Sequence, residues 1–190
     1  MKSARAAILA AVFAFSTLTD ATLAAVQPEK DSLQSFRAMS LSQSTAAPTG
    51  FMVFCLRSPA SCRVSGKSKV DYTSQLATTL RSVNSLVNRS IRPRPDRGDV
   101  WLANVRYGDC EDYALTKRER LIRMGIPAGA LRIATARTRS GEGHAVLVVR
   151  TDHGDFVLDN MNNSVRPWFQ TGLRWIAMSG ANPLRWNRIS

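Results

Sequence analysis

An α+β fold is expected for this 190-residue chain, with helices in the first half and an antiparallel sheet in the second. Three observations lead there. Apolar residues recur at helical steps at Leu76, Leu80, Val83, Val87 and Ile91. A second segment, beginning at Asp109 and ending before Gly125-Ile126-Pro127, carries acids at its start (Asp109, Glu111, Asp112) and bases further on (Lys117, Arg118, Arg120, Arg123), which is the order a helix dipole favours. Beyond it the pattern becomes that of strands: Leu131 to Ala136, His144 to Val149 and Asp155 to Asp159, the last two joined by the short loop Thr151-Asp152-His153-Gly154.

Taken in order, the chain opens with targeting features. Lys2 and Arg5 precede a mostly apolar stretch from Ala6 to Leu18, followed by small residues up to Ala24 and Ala25. That layout predicts a secretory signal peptide over residues 1–25, too short in its apolar part to span a bilayer, and a periplasmic or secreted mature protein. Residues 26–49 are polar, rich in Ser, Thr, Gln and Ala, and are expected to form a flexible arm. The folded domain is expected over 50–190. Its first helix should run from Asp71, as the capping residue, to about Ile91, with Pro93 just beyond. Arg92 to Asp99 is a charged Pro/Gly connector. The strand from His144 is apolar on both faces and therefore central in its sheet. The last forty residues hold three of the four tryptophans, and no order of elements is legible there.

The net charge is +12, and +11 once Lys2, Arg5 and Asp20 leave with the signal peptide. Such a charge favours peripheral contact with acidic envelope components, and a solvated basic surface accounts for it equally well. Export, and the lack of zinc-finger or aromatic-interleaved basic patterns, argue against nucleic acid. Of the three cysteines, Cys55 and Cys62 lie close together around Pro59 and read as a disulfide in an oxidising compartment, leaving Cys110 unpaired.

Cys110 falls in the first turn of the second helix, where free N–H groups and the positive dipole end favour a thiolate and its own N–H suits an oxyanion. A buried structural cysteine is the plain alternative. Of the two histidines, His153 lies in the hairpin loop, whereas His144 starts the central strand after the flexible Ser140-Gly141-Glu142-Gly143. Directly opposed residues of an antiparallel hairpin have a constant sum of numbers. An odd sum places His144 and Asp159 on the same face, opposite or diagonal; an even sum separates them. With an odd sum, Cys110, His144 and Asp159 can form the nucleophile, base and orienter that thiol acyl chemistry requires.

Three blocks, Gly108-Asp109-Cys110-Glu111-Asp112-Tyr113-Ala114, Gly143-His144-Ala145-Val146-Leu147 and Val157-Leu158-Asp159-Asn160, resemble those of the bacterial transglutaminase-like cysteine peptidases, a family that includes the LapG-type periplasmic proteases. The likeness extends to Gly50 through Cys62 and to Asn182-Pro183 with Trp186. It implies a papain-like fold with the cysteine-bearing helix packed on an antiparallel sheet, a Cys110–His144–Asp159 triad, and Asn160 helping to hold the end of the last strand. It also implies calcium, held by position at Asp109, Glu111 and Asp112, and no organic cofactor. Physics points the same way, since carboxylates beside a thiol discourage the thiolate and a cation relieves that. The alternative is that Asp109 only caps the helix and the other two acids are solvated. The stretch from Asp99-Val100-Trp101, which borders the cleft, to Cys110 is shorter than in LapG-type members, which points to a less characterised branch. The expected activity is cleavage of a cell-envelope protein, such as a surface adhesin, by a monomeric peptidase. An acyl transferase on the same triad and a non-catalytic basic envelope-binding module are the alternatives.

Overall fold

The computed structural model describes residues 38–190; the expected signal peptide and residues 26–37 of the expected arm lie outside them. The described chain is α+β. Strand β1 (Leu41–Thr45) leads to helix α1 (Thr49–Arg57), a 3-10 turn (Pro59–Cys62) and helix α2 (Ser74–Ser90). Two short strands follow, β2 (Arg92–Pro93) and β3 (Tyr107–Gly108), and then helix α3 (Cys110–Arg123). Strands β4 (Leu131–Arg137), β5 (Gly143–Thr151), β6 (Gly154–Asp159), β7 (Asn162–Pro167), β8 (Arg174–Ser179) and β9 (Trp186–Ile189) complete the chain.

Seven strands form one antiparallel sheet in the order β1-β9-β8-β4-β5-β6-β7, with β5 interior as its apolar pattern requires. The helices cover one face. There Leu80, Val83 and Val87 of α2 and Leu115 and Leu121 of α3 pack with Ile133, Leu147, Val149 and Leu158 of the sheet. The other face carries a smaller cluster, Met39, Ala134, Val146, Val148, Val157 and Met178.

Two boundaries differ from the sequence expectation. The arm expected over 26–49 does not extend to 49: Leu41 pairs with Ile189 and Thr45 with Trp186, so β1 closes the sheet edge against the C-terminal strand. A polar edge strand has no hydrophobic signature, and its partner lies at the far end of the chain. Helix α2 is capped by Thr73, whose Oγ1 accepts the Leu76 N–H at 3.1 Å, and not by Asp71. The basic half of α3 also departs from a solvated surface, since Lys117 and Arg118 are buried.

Cys55 and Cys62 are bonded to each other, joining the end of α1 to the 3-10 turn, and both are buried in the main core. Closing so small a loop stabilises by about 2–3 kcal/mol through the unfolded state. The double Cys55→Ala/Cys62→Ala variant is therefore expected to lose about that much in urea unfolding, plus a contribution from lost packing.

Candidate active site

Helix α3 begins at Cys110 with Asp109 as its N-cap residue, and Asp112 Oδ2 accepts the Asp109 backbone N–H at 3.3 Å. Glycine is required just before. A Cβ on Gly108 would stand 2.2 Å from Asp112 Oδ2. The turn thus formed presents the Cys110 sulfur to the start of β5, where the Ala145 N–H donates to Sγ at 3.3 Å.

The β5–β6 hairpin has the odd register: Leu147 faces Leu158, Val148 faces Val157 and Thr151 faces Gly154 across the two-residue turn Asp152-His153. His144 and Asp159 are consequently diagonal neighbours, and His144 Nε2 meets Asp159 Oδ1 at 2.8 Å. The imidazole is buried. Asp159 Oδ1 also accepts the Met161 N–H at 2.9 Å. Burial raises the Asp159 pKa, but the hydrogen bond and charge of His144 and the Met161 amide outweigh it, and the carboxyl lies below its ordinary value.

Cys110, His144, Ala145, Glu111, Asp99 and Trp101 line one cavity of about 290 Å³. Its floor is set by Trp101, which is buried, donates Nε1–H to Asp99 Oδ1 at 2.6 Å and packs edge-on against Phe51 at 5.6 Å between centroids. Asp99 Oδ2 in turn accepts the Gly50 N–H at 2.6 Å, tying the start of α1 to the cleft wall.

In this state the thiol donates to Glu111 Oε2 at 3.0 Å and not to the imidazole. Burial first, then the charge and hydrogen bond of Glu111, push the Cys110 thiol well above its ordinary pKa. Burial likewise raises Glu111 to about 7. The helix N-terminus alone does not yield a thiolate here; burial, and after it the acids beside the thiol, outweigh it.

Of the three acids expected to hold calcium, the structure groups Asp109 and Glu111 but not Asp112. Asp112 is buried, and both its oxygens are committed, Oδ1 to the Leu102 N–H at 2.8 Å and Oδ2 to Asp109. It is not a solvated acid and stands outside the cluster; it fastens the loop before α3. Burial, only partly offset by the Leu102 amide, raises its pKa to about 6. The third member of the cluster is Asp96, and one oxygen each of Asp96, Asp109 and Glu111 lie within 4.8 Å of one another. Asp109 Oδ1 is buried and has no hydrogen-bond partner among the described residues, which suits a cation ligand. Parallel pairing of Arg92 with Tyr107 and Pro93 with Gly108 brings Asp96 there. No local signal in the sequence marks it.

Asn160 does not hold the strand end as expected: its Oδ1 is buried and has no hydrogen-bond partner among the described residues. That work falls to α2. Asn88 Nδ2 donates to the Asp159 carbonyl at 3.0 Å, and Asn84 Nδ2 to those of Asn162 and Asn163 at 2.8 and 3.1 Å. Asparagines at positions 84 and 88, in helical step with the apolar Leu80, Val87 and Ile91, were the available clue.

A family model described as bacterial transglutaminase-like cysteine proteinase matches residues 41–190. Among solved structures, calcium-bound LapG of Legionella pneumophila matches with a TM-score of 0.50 and 25% identity, over 56% of this chain and 66% of that one. A second LapG structure from that organism matches with a TM-score of 0.49 and 26% identity, over 56% and 64%. An EGTA-treated LapG gives 0.48 and 26%, over 54% and 62%. In each case the match spans just under two thirds of the LapG chain. No curated protein sequence matches.

Proposed function

The chain belongs to the bacterial transglutaminase-like cysteine proteinases, and from that premise we propose that it is an exported peptidase in which Cys110, His144 and Asp159 cleave a protein of the cell envelope. One observation carries the reading: a carboxylate-anchored imidazole and a lone thiol line the same cavity, with the thiol against the backbone of the residue after the histidine.

The chemistry follows from those contacts. Asp159 occupies Nε2 of His144, so Nδ1 is the nitrogen left for Cys110. His144 takes the thiol proton, the sulfur attacks the peptide carbonyl, and the Cys110 N–H, unneeded within the first helical turn, faces the developing oxyanion. His144 then protonates the departing amine, and water releases the acyl group from sulfur. Export is supported by the apolar stretch after Lys2 and Arg5 and by the Cys55–Cys62 disulfide, which suits an oxidising compartment. Among the described residues no helix is long and apolar enough to cross a membrane.

Asp96, Asp109 and Glu111 are the residues that would hold calcium, as all-oxygen ligands suit that ion. Bound there, calcium supplies positive charge beside the thiol and offsets the carboxylates that discourage its ionisation. The likeness to calcium-bound LapG supports the assignment.

The test is incubation of the purified protein with envelope extract, with and without EGTA, and detection of new protein termini. Termini are expected only without chelator, with recovery on added calcium. Asp96→Asn is expected to weaken calcium binding by roughly tenfold or more in calorimetry. Asp112→Asn should mainly lower stability. Incorporation of a labelled amine without cleavage would replace the peptidase by an acyl transferase.

A further inference from the structure

Two residues apart on β4, Arg132 and Ala134 share the sheet face opposite the helices. Arg132 faces Val148 across the ladder, which makes Arg150 of β5 its diagonal neighbour, about 7–8 Å away between backbones. Arg132 is only 4% exposed. Its Nη2 donates to the Ser68 carbonyl at 3.3 Å, and its Nε is buried and has no hydrogen-bond partner among the described residues. None of its nitrogens is paired with a carboxylate there. Asp155, opposite Arg150, is already engaged on both oxygens, Oδ1 by Arg150 Nε at 3.0 Å and Oδ2 by the Met39 N–H at 2.7 Å. An apolar residue at 132 would extend the cluster around Ala134 and Val148 without an unpartnered donor, so the arginine is costly to the fold. Arg132 and Arg150, with Ser68 and Lys69 from the loop before α2, line a cavity of about 280 Å³. That loop is pinned to the sheet: the Val70 N–H donates to the Arg150 carbonyl and the Asp152 N–H to the Val70 carbonyl, both at 3.0 Å. Asp152 completes the lining, its Oδ1 accepting the Tyr72 N–H at 2.7 Å. The cavity shares no lining residue with the one at Cys110. His144 faces Ala136, four residues along β4 from Arg132 and so about 13 Å away.

We propose that this cavity is a phosphate-binding site, in which Arg132 and Arg150 hold the anion's oxygens from the sheet and Lys69 holds them from the rim. A carboxylate ligand offers two oxygens in one plane. Cations carried by β4, β5 and the loop before α2 surround an anion whose oxygens point in several directions. Asp152 on the same lining favours phosphate over sulfate, because phosphate can still carry a proton near neutral pH for a carboxylate to accept. The phosphate comes either from the headgroup of an envelope lipid or from the free ion. The site goes beyond the peptidase reading and stands whether or not that reading does.

Calorimetric titration of the full chain with inorganic phosphate, in chloride buffer near neutral pH, reads this directly. The parent should bind phosphate at millimolar concentration or below, and sulfate at matched ionic strength several-fold more weakly. Arg132→Met should weaken phosphate binding by roughly ten- to a hundredfold, with a Tm in chloride no lower than the parent's. Lys69→Met, at an exposed position where folding is not at stake, should weaken it roughly two- to fivefold. Arg81→Gln removes the same charge from the exposed side of α2 and should leave binding unchanged. No phosphate binding by the parent, equal affinity for sulfate, or an Arg81→Gln loss matching those of the cavity variants overturns the proposal. If Arg132→Met does not fold, Lys69→Met against Arg81→Gln decides. Flotation with phosphatidylcholine vesicles, with and without phosphatidic acid, separates the two sources. Capture only by phosphatidic acid vesicles, reversed by inorganic phosphate and weakened in Lys69→Met, assigns the site to a lipid headgroup; phosphate binding without capture assigns it to the free ion.

Discussion

Cys110→Ala is expected to remove proteolysis of envelope protein altogether, a loss on the order of 10⁵-fold or more, because no other thiol can take its place. The other two cysteines are bonded to each other. His144→Ala should cost nearly as much, and the double variant little beyond either single one, since residues acting as a unit are strongly non-additive. Asp159→Asn is expected to fall between these and the parent. An asparagine amide in its place can offer His144 Nε2 a donor instead of an acceptor, favouring the tautomer in which Nδ1 carries the proton and cannot accept one from sulfur. Release of new termini from envelope extract measures all four variants. A Cys110→Ala protein that still generates them would end the peptidase reading. One that keeps full biological activity without cleavage would favour a binding module.

Gly50→Ala should have the largest effect on stability. An added Cβ would lie 2.3 Å from Trp101 Cδ1 and 2.4 Å from the Asp99 carbonyl oxygen, one of them backbone that cannot swing aside. Relief requires moving α1 or the Asp99–Trp101 segment, and either movement breaks the 2.6 Å bond from Gly50 N–H to Asp99 and the packing of Trp101 on Phe51. Overpacking together with a lost buried hydrogen bond amounts to roughly 3 kcal/mol, or about 10 °C in Tm for a domain of this size. Because Asp99 and Trp101 also line the cavity at Cys110, activity should fall even below the melting range. Urea unfolding of the parent and variant decides the first point, and a change under about 1 kcal/mol would mean the cleft wall is far softer than its contacts imply.

Much of the fold was legible because it is written in local periodicity. The apolar steps from Leu76 to Val87 gave α2, the acid-to-base order after Asp109 gave α3, and the β5–β6 hairpin followed from two apolar strands around a short polar loop. The hairpin narrowed the site further. Only parity was open, and the odd register is the one that joins His144 to Asp159. Elements whose partners are remote were not legible. Strand β1 is polar and acquires its place only by pairing with residues 186–189. Likewise, Lys117 and Arg118 look like the exposed end of a dipole-matched helix until the sheet and α2 are placed around them.

The sequence by itself determined the types of the central elements, left Cys110 as the unpaired cysteine and narrowed His144 and Asp159 to one of two registers, because each depends on spacing within one segment or across one tight turn. Tertiary structure alone decided which acids surround the thiol. Asp112, next in sequence, turns inward to fasten the Leu102 loop, while Asp96 arrives through the parallel pairing of β2 and β3. The reason is physical: a carboxylate's role follows from which donors and charges burial brings within a few ångströms of it, and that distance is set by chain crossings no linear pattern records.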